Sequence, residues 1–194
     1  FRPVSSNYDP HLLTFVGTLW YQPNEEAALY FLQKIWPVLV SAFPQIKLEI
    51  IGEGASSKLI HLASRWGDRI KILGKVEDIR PYLARAAAMV APILSGSGTR
   101  TKILTALAMG LPVISTSIGC EGLEVEDGQN ILVADKPEEF CKKIGQLLSD
   151  PQLRERLARN GRALVEKNHS PQMLQQRWRE IQQRMERDEM KRQR

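Results

Sequence analysis

The stretch MVAPILSGSGTRTKILTALAMGLPVIS, residues 89–115, gives the clearest indication of how this chain folds. It begins with a short apolar strand at 89–91, which is followed by a loop rich in glycine and serine. A helix is predicted at 99–109, where Gly110 ends it, and a second apolar strand is predicted at 112–115. A strand, a helix and a further strand in this order form a βαβ unit, in which the two strands are parallel.

The same alternation of strands and helices extends to both sides of this unit. Further strands are predicted at 12–16, 47–51, 70–73 and 130–133, and further helices at 24–43, 56–65 and 78–87. Asn24 is expected to cap the first of these helices and Pro37 to kink it. The pattern predicts an α/β fold of the Rossmann-like, doubly wound type, whose parallel sheet is covered by helices on both faces.

The C-terminal third is predicted to be helical. One helix covers 137–149, and Asp150-Pro151 is expected to begin the next. A third helix is expected to start at Ser170-Pro171, and its apolar stripe consists of Met173, Leu174, Trp178 and Ile181. The predicted division of the chain is therefore a Rossmann-like domain at 1–169 and a basic C-terminal helix and tail at 170–194.

The chain has 194 residues, of which 43% are hydrophobic and 25% are charged, and this is the composition of an ordinary globular domain. The net charge of +5 is concentrated at one end: residues 150–194 carry 12 basic and 7 acidic side chains, whereas residues 1–149 carry 15 of each. The basic tail therefore packs onto another part of the same protein or binds an anionic membrane surface. No nucleic-acid partner is expected, because no recognition motif accompanies the charge.

Several classes of protein are excluded by the sequence. No run of about 18 apolar residues occurs, so no segment is predicted to span a membrane. Cys120 and Cys141 are isolated, and His11, His61 and His169 lack the spacing of metal ligands, so neither a disulfide framework nor a metal site is expected. The N-terminus has no initiator Met and no apolar signal segment, which indicates a piece of a longer chain.

The loop between the two quoted strands is the main candidate for a binding site. Its residues are Gly96, Ser97, Gly98, Thr99, Arg100 and Lys102. Glycines at the start of a helix let the backbone approach a ligand, and free amide groups there attract an anion. The loop therefore predicts a phosphate or diphosphate site, and the alternative is a flexible loop with two solvated cations. It is not a Walker motif, because Lys102 lies one turn into the helix.

Three further patterns allow two interpretations each. Gly52-Glu53-Gly54 suits dinucleotide binding by an NAD-dependent oxidoreductase, and a tight turn with glycines for packing is the simpler alternative. Gly17-Thr18 either presents backbone amides to the same anion or merely ends a strand. An acidic group, comprising Glu121, Glu124, Glu126 and Asp127, suits a cation or sugar hydroxyls, and equally a solvent-facing loop. No Asp-x-Asp motif is present, which argues against a metal-dependent sugar transfer.

Taken in order, these motifs resemble a known family. The Gly52-Glu53-Gly54 turn, the segment GKVEDIRPYL at 74–83 and the segment GSGTRTKILTALAMGLPVIST at 96–116 look like the C-terminal donor domain of group 1 (family 4) glycosyltransferases. The resemblance is closest to enzymes of bacterial exopolysaccharide and cell-surface glycan synthesis. It implies one half of a GT-B fold: this half would bind a nucleotide-sugar, and the protein's own N-terminal half, absent from this chain, would bind the acceptor.

The resemblance also implies a mechanism and a set of site residues. It implies a retaining transfer from a UDP- or GDP-sugar, in the cytoplasm or at the inner membrane face. No metal or other cofactor is expected, because Lys102 and Arg100 would stabilise the leaving diphosphate as the catalytic residues. The residues expected to bind the donor are Gly17, Thr18, Gly52, Gly54, Lys75, Val76, Gly96, Ser97, Gly98, Thr99 and Thr105. The isolated chain is expected to bind nucleotide weakly and to transfer no sugar.

The sequence departs from the family pattern at two places. The two glutamates that the family commonly carries fall on Ser97 and Thr105, and the arginine and lysine often found after the first strand are missing from TLWYQ at 18–22. Losing the second carboxylate would weaken the hydrogen bonds to ribose by about 1–3 kcal/mol. A second hypothesis therefore stands beside the transferase, namely a degenerate donor domain that serves as an interaction or regulatory module.

Overall fold

The computed structural model describes residues 8–96, 100–169, 173, 175 and 178–185. Within this part of the chain six strands form one sheet: β1 Leu12–Val16, β2 Lys47–Ile51, β3 Ile70–Gly74, β4 Ala88–Ala91, β5 Val113–Ser115 and β6 Leu132–Val133. Neighbouring strands are parallel, and their order across the sheet is β3-β2-β1-β4-β5-β6. This order is that of a Rossmann fold, whose switch point lies between β1 and β4.

Helices connect the strands and cover the sheet. They are α1 Gln22–Tyr30, α2 Trp36–Ala42, α3 Ser57–Ser64, α4 Arg80–Arg85, α5 Thr101–Ala108, α6 Pro137–Ser149 and α7 Pro151–His169. A π-helical segment, Phe31–Ile35, joins α1 to α2, and a short 3₁₀ helix, Gly67–Arg69, precedes β3. The α/β class predicted from the sequence is therefore confirmed.

Side chains that alternate along the strands pack into a separate hydrophobic core on each face of the sheet. Leu13 and Phe15 of β1 belong to one core, together with Phe31 and Phe140 from the helices on that face. Leu12 belongs to the other core, which α4 and α5 cover. Because β1 is central and buried on both faces, the loop that follows it is held firmly at the carboxyl edge of the sheet.

The first helical region differs from its prediction. The chain becomes helical at Gln22, and the N-cap position is Tyr21, whose side chain makes no capping hydrogen bond. Asn24 lies inside the first turn with its side chain buried, so the prediction that it caps the helix is wrong. Pro37 lies in the first turn of α2, directly after the π-helical segment. Because proline cannot donate a backbone hydrogen bond, the regular α-helical pattern is interrupted before it.

The predicted start of α7 is confirmed. The backbone N–H groups of Gln152 and Leu153 donate to Asp150 Oδ1 at 3.0 and 2.9 Å. The predicted start of a third helix at Ser170-Pro171 lies outside the described residues, whereas 178–185 is helical. Among the described helices, none is both long and apolar enough to cross a bilayer.

Candidate active site

A cleft of about 460 Å³ lies at the carboxyl edge of the sheet, where β1, β2 and β3 end and α5 begins. Ligands of doubly wound folds bind at this edge, close to the switch point. The cleft brings together many of the residues predicted from the sequence, and these are Gly17, Thr18, Gly52, Lys75, Val76, Lys102 and Thr105. Residues that are distant in the sequence therefore line one cavity.

Lys102 supplies the positive charge of the cleft from the first turn of α5. Its ammonium donates a hydrogen bond to Asn24 Oδ1, and its Nζ lies 5.8 Å from the centre of the Phe15 ring. Burial lowers the pKa of Lys102 to about 8, and the charge of Arg100 adds to this effect. Within the described part of the chain, no carboxylate forms an ion pair with Lys102. The ammonium is therefore partly desolvated and uncompensated, as suits a site for an anion.

Asn24 orients Lys102, a role that was not predicted from the sequence. Its Nδ2 donates to the Thr18 carbonyl oxygen at 2.9 Å, which leaves Oδ1 to accept from Lys102. A sequence signal does exist. Asn24 shares a helical face with Ala27, Ala28 and Phe31, which are all buried, so a polar residue occupies a position of the apolar stripe.

Gly17 and Gly52 allow the backbone to pass close to these groups. A Cβ atom on Gly17 would lie 2.9 Å from Asn24 Cγ and 3.0 Å from Lys102 Nζ. A Cβ atom on Gly52 would lie 1.8 Å from the Gly17 carbonyl oxygen. The loops after β1 and β2 therefore touch through their backbones, and no larger residue fits at either position without movement.

Gly54 and Gly96 serve packing instead of lining the cleft. A Cβ atom on Gly54 would lie 2.8 Å from Trp20 Cβ, and one on Gly96 would lie 3.2 Å from Pro23. The tight-turn interpretation of Gly52-Glu53-Gly54 therefore accounts for Gly54. The predicted donor-binding residues Ser97, Gly98 and Thr99 lie outside the described residues.

Arg100 is directed away from the cleft that Lys102 lines. Its guanidinium donates to the carbonyl oxygens of Ile118 at 2.7 Å and Gly96 at 3.2 Å, and it lies 3.6 Å from a Glu121 carboxylate oxygen. These contacts join the loops after β4 and β5. In this arrangement Arg100 acts on Lys102 through its charge, and it contributes no side-chain atom to the cleft wall.

The loops after β2 and β3 add a pair of opposite charges to the cleft. Lys75 Nζ lies 3.8 Å from Glu53 Oε2, and both side chains are exposed. Thr105 lies one turn after Lys102 on α5 and lines the same cavity. The cleft is thus lined by the uncompensated ammonium of Lys102, by the Lys75–Glu53 pair and by the residues of the surrounding loops.

The acidic group after β5 is used by other contacts. Asp127 pairs with Lys143 at 2.6 Å, and Glu124 accepts a hydrogen bond from Asn168 at 2.7 Å. Among the described residues, no group of three His, Cys, Asp or Glu side chains is placed to hold a metal ion. The interpretation of this segment as a charged loop agrees with these contacts.

A family model settles the family of the chain. Residues 10–150, more than half of the sequence, match the model of the glycosyl transferases group 1. The chain belongs to the group 1 glycosyl transferases. The resemblance drawn from the motifs is thereby confirmed, and the NAD-dependent alternative, which depends on Gly52-x-Gly54 alone, loses its support.

Several curated proteins are similar in sequence to this group 1 glycosyl transferase. It is 27% identical over 161 residues to an uncharacterized 44.6 kDa protein in the cps region of Klebsiella pneumoniae. It is 33% identical over 127 residues to the lipopolysaccharide core biosynthesis glycosyltransferase LpsE of Rhizobium meliloti (strain 1021). These alignments cover 80% and 63% of this chain but only 42% and 37% of the relatives. The chain therefore spans less than half the length of the curated proteins it matches.

Solved structures share the fold of this group 1 glycosyl transferase. Anabaena HepE in complex with UDP and glucose aligns with a TM-score of 0.74 at 19% identity, over 93% of this chain and 49% of that one. The C-terminal domain of a group 1 family protein (LpcC) from Francisella tularensis aligns with a TM-score of 0.67 at 19% identity, over 85% of this chain and 89% of that one. The fold is thus that of a GT-B glycosyltransferase domain.

Proposed function

We propose that this chain is the donor-binding half of a retaining glycosyltransferase that uses a UDP- or GDP-sugar. The observation that carries the proposal is Lys102, an uncompensated and partly buried ammonium at the base of the switch-point cleft. Charge develops on the diphosphate as the bond between sugar and phosphate breaks. A cation fixed beside the diphosphate oxygen that leaves the sugar stabilises the transition state more than the ground state.

The remaining residues of the cleft receive roles in the same proposal. Gly17 and Thr18 present backbone to the diphosphate, Lys75 and Val76 contact the base, and Thr105 contacts the ribose. Because Lys102 and the backbone amides at the start of α5 supply the positive charge, this transfer needs no metal ion. Solved proteins of the same fold support the choice of donor, since HepE was crystallised with UDP and glucose.

The proposed acceptor is a cell-surface glycan, an exopolysaccharide or a lipid-linked sugar. The name of LpsE refers to lipopolysaccharide core biosynthesis, and a relative from Mycolicibacterium smegmatis that is 27% identical over 122 residues is a phosphatidyl-myo-inositol mannosyltransferase. In this proposal the protein's own acceptor-binding half completes the enzyme, which works in the cytoplasm or at the inner membrane face, where the basic tail contacts that half or anionic lipid.

Calorimetric titration of the chain with UDP, GDP and their sugars tests the proposal. We expect binding, and we expect Lys102→Ala to weaken it by about tenfold to a hundredfold, because a charged hydrogen bond contributes about 1.5–3 kcal/mol. Lys58→Ala, on the exposed face of α3, is the matched control and should bind like the wild type. No binding at millimolar nucleotide would instead favour the degenerate interaction module, and equal affinities of the two variants would remove Lys102 from the site.

A further inference from the structure

Asn24 carries a buried side-chain amide whose nitrogen and oxygen both form hydrogen bonds. The residue is 8% exposed, and its Nδ2 donates to the Thr18 carbonyl oxygen at 2.9 Å. Its Oδ1 accepts from the Lys102 ammonium. The two partners fix the orientation of the amide, because a carbonyl oxygen can only accept and an ammonium can only donate. Asn24 therefore joins the loop after β1 to the first turn of α5.

The position of Lys102 depends on this amide. A Cβ atom on Gly17 would lie 3.0 Å from Lys102 Nζ, so the ammonium fits against the Gly17 backbone. The face of Phe15 lies on another side at 5.8 Å from the ring centre. Phe15 offers only the face of its ring, and among the described residues no hydrogen bond joins the Lys102 ammonium to the Gly17 backbone. Asn24 thus supplies the side-chain acceptor that directs the ammonium.

The charged groups on the surrounding elements do not neutralise this ammonium. They are Arg100 directly before α5, the pair of Glu53 and Lys75 on the loops after β2 and β3, and Glu25 and Glu26 in α1. Glu53 pairs with Lys75, and Glu26 accepts from Gln22 and Ser95. Glu25 has a buried carboxylate oxygen without a hydrogen-bond partner, but among the described residues it forms no ion pair with Lys102. Burial and the like charge of Arg100 are the influences that act on Lys102.

We propose that Asn24 is a positioning residue, whose neutral amide holds the Lys102 ammonium in the cleft without cancelling its charge. An aspartate of the same shape would also hold the ammonium, but the resulting ion pair would leave the cleft without net charge for an anion. The neutrality of residue 24 therefore leaves the cleft a net positive charge with which to bind a diphosphate. This inference rests on the proposed function, since it names the residue on which that site depends.

The test compares Asn24→Asp and Asn24→Ala with the wild-type chain by calorimetric titration with inorganic pyrophosphate and with UDP at neutral pH. We expect the affinity to fall in the order wild type, Asn24→Ala, Asn24→Asp, with a loss of about tenfold or more for Asn24→Asp. Gln33→Glu makes the same change from amide to carboxylate at an exposed position and should bind like the wild type. A purely structural role of Asn24 would not place Asn24→Asp below Asn24→Ala.

A second measurement needs no ligand. We expect NMR titration of the Lys102 side chain to show a pKa about 1–3 pH units higher in Asn24→Asp than in the wild type, and no such increase in Asn24→Ala. This inference is overturned if the pKa of Lys102 is unchanged in Asn24→Asp. It is also overturned if either variant binds pyrophosphate as tightly as the wild type does. Both outcomes leave the proposed function standing. If the wild type binds neither pyrophosphate nor UDP, the proposed function fails, and the role assigned to Asn24 fails with it.

Discussion

Lys102 brings a positive charge into a partly buried position where an amide oxygen is its side-chain partner. A lysine in water remains charged to about pH 10.4, whereas burial brings the pKa of Lys102 to about 8. The protonated form binds an anion, and the neutral form does not. The charge on which the proposed function depends is therefore sensitive to pH in the range in which assays are performed.

We expect diphosphate affinity to fall as the pH rises through about 8. A bound diphosphate favours the ammonium, so above this pH the protein must take up a proton before it binds, and affinity drops by up to about tenfold per pH unit. Titrations of UDP between pH 6.5 and 9.5 measure this. Lys102→Met should show a weak and flat profile over pH 7–9.5. A flat profile of the wild type in that range would contradict the assignment of Lys102 to the site.

The loops after β1 and β2 are in direct backbone contact and form one unit. Their backbones touch where Gly52 faces the Gly17 carbonyl oxygen, and Gly17 in turn borders Lys102 and Asn24. Backbone contact of this kind tolerates no side chain, because the nearest atom cannot rotate away. The geometry of the cleft is thus set by two glycines on neighbouring strands of the sheet.

Gly52→Ala should destabilise the fold by about 3 kcal/mol or more, since its Cβ atom would overlap a backbone oxygen in a packed region. Gly67→Ala is the control, because Gly67 has a positive φ of 57° but nothing within 4 Å of its Cβ position. It should lose only about 1–2 kcal/mol, which is the cost of the left-handed conformation. Urea denaturation measures both variants, and equal losses would show that the two loops do not depend on this contact.

The charge that serves the site has a cost for the molecule as a whole. The pKa of Lys102 lies below its ordinary value of 10.5, so folding disfavours the charged form. The corresponding cost is fully present below pH 8 and disappears as the pH rises towards 10.5, because the folded chain then releases its proton before the unfolded chain does. Stability and binding therefore oppose each other at this residue.

Lys102→Met should accordingly make the ligand-free chain more stable at pH 7, by about 1–3 kcal/mol, because methionine fills similar space without a charge to desolvate. Chemical denaturation in the absence of nucleotide measures the change. Lys58→Met, at an exposed position, should leave the stability nearly unchanged. A loss of stability in Lys102→Met would mean that the ammonium is well compensated in the folded chain.

Much of this fold follows from the sequence because its signals are local. Short apolar strands bounded by glycine and polar residues occur where they are predicted, and Asp150 begins α7 as expected. The first helical region is harder to predict, because two of its features depend on tertiary contacts. These are the hydrogen bond of Asn24 to Lys102 and the π-helical segment before Pro37. In the sequence, an asparagine that caps a helix looks the same as an asparagine that is buried and positions another side chain.

The candidate site was predictable in its location but not in the direction of its side chains. The carboxyl ends of parallel strands meet at one edge, so Gly17, Gly52 and Lys102 come together. Arg100 is only two residues from Lys102, yet its guanidinium contacts the loop after β5. That direction depends on the Ile118 carbonyl oxygen, which no pattern around residue 100 reveals.

The unusual environment of Lys102 has a chemical consequence beyond binding. At pH 8 about half of its amine is free base, because its pKa is about 8. An ordinary surface lysine has less than about 1% of its amine in that form at the same pH. An unprotonated amine is a nucleophile, so an acylating reagent small enough to enter the cleft would react with Lys102 at a lower pH than with the exposed lysines. Lys102 is thus also an attachment point for covalent probes, and under the proposed function a bound nucleotide would protect it from them.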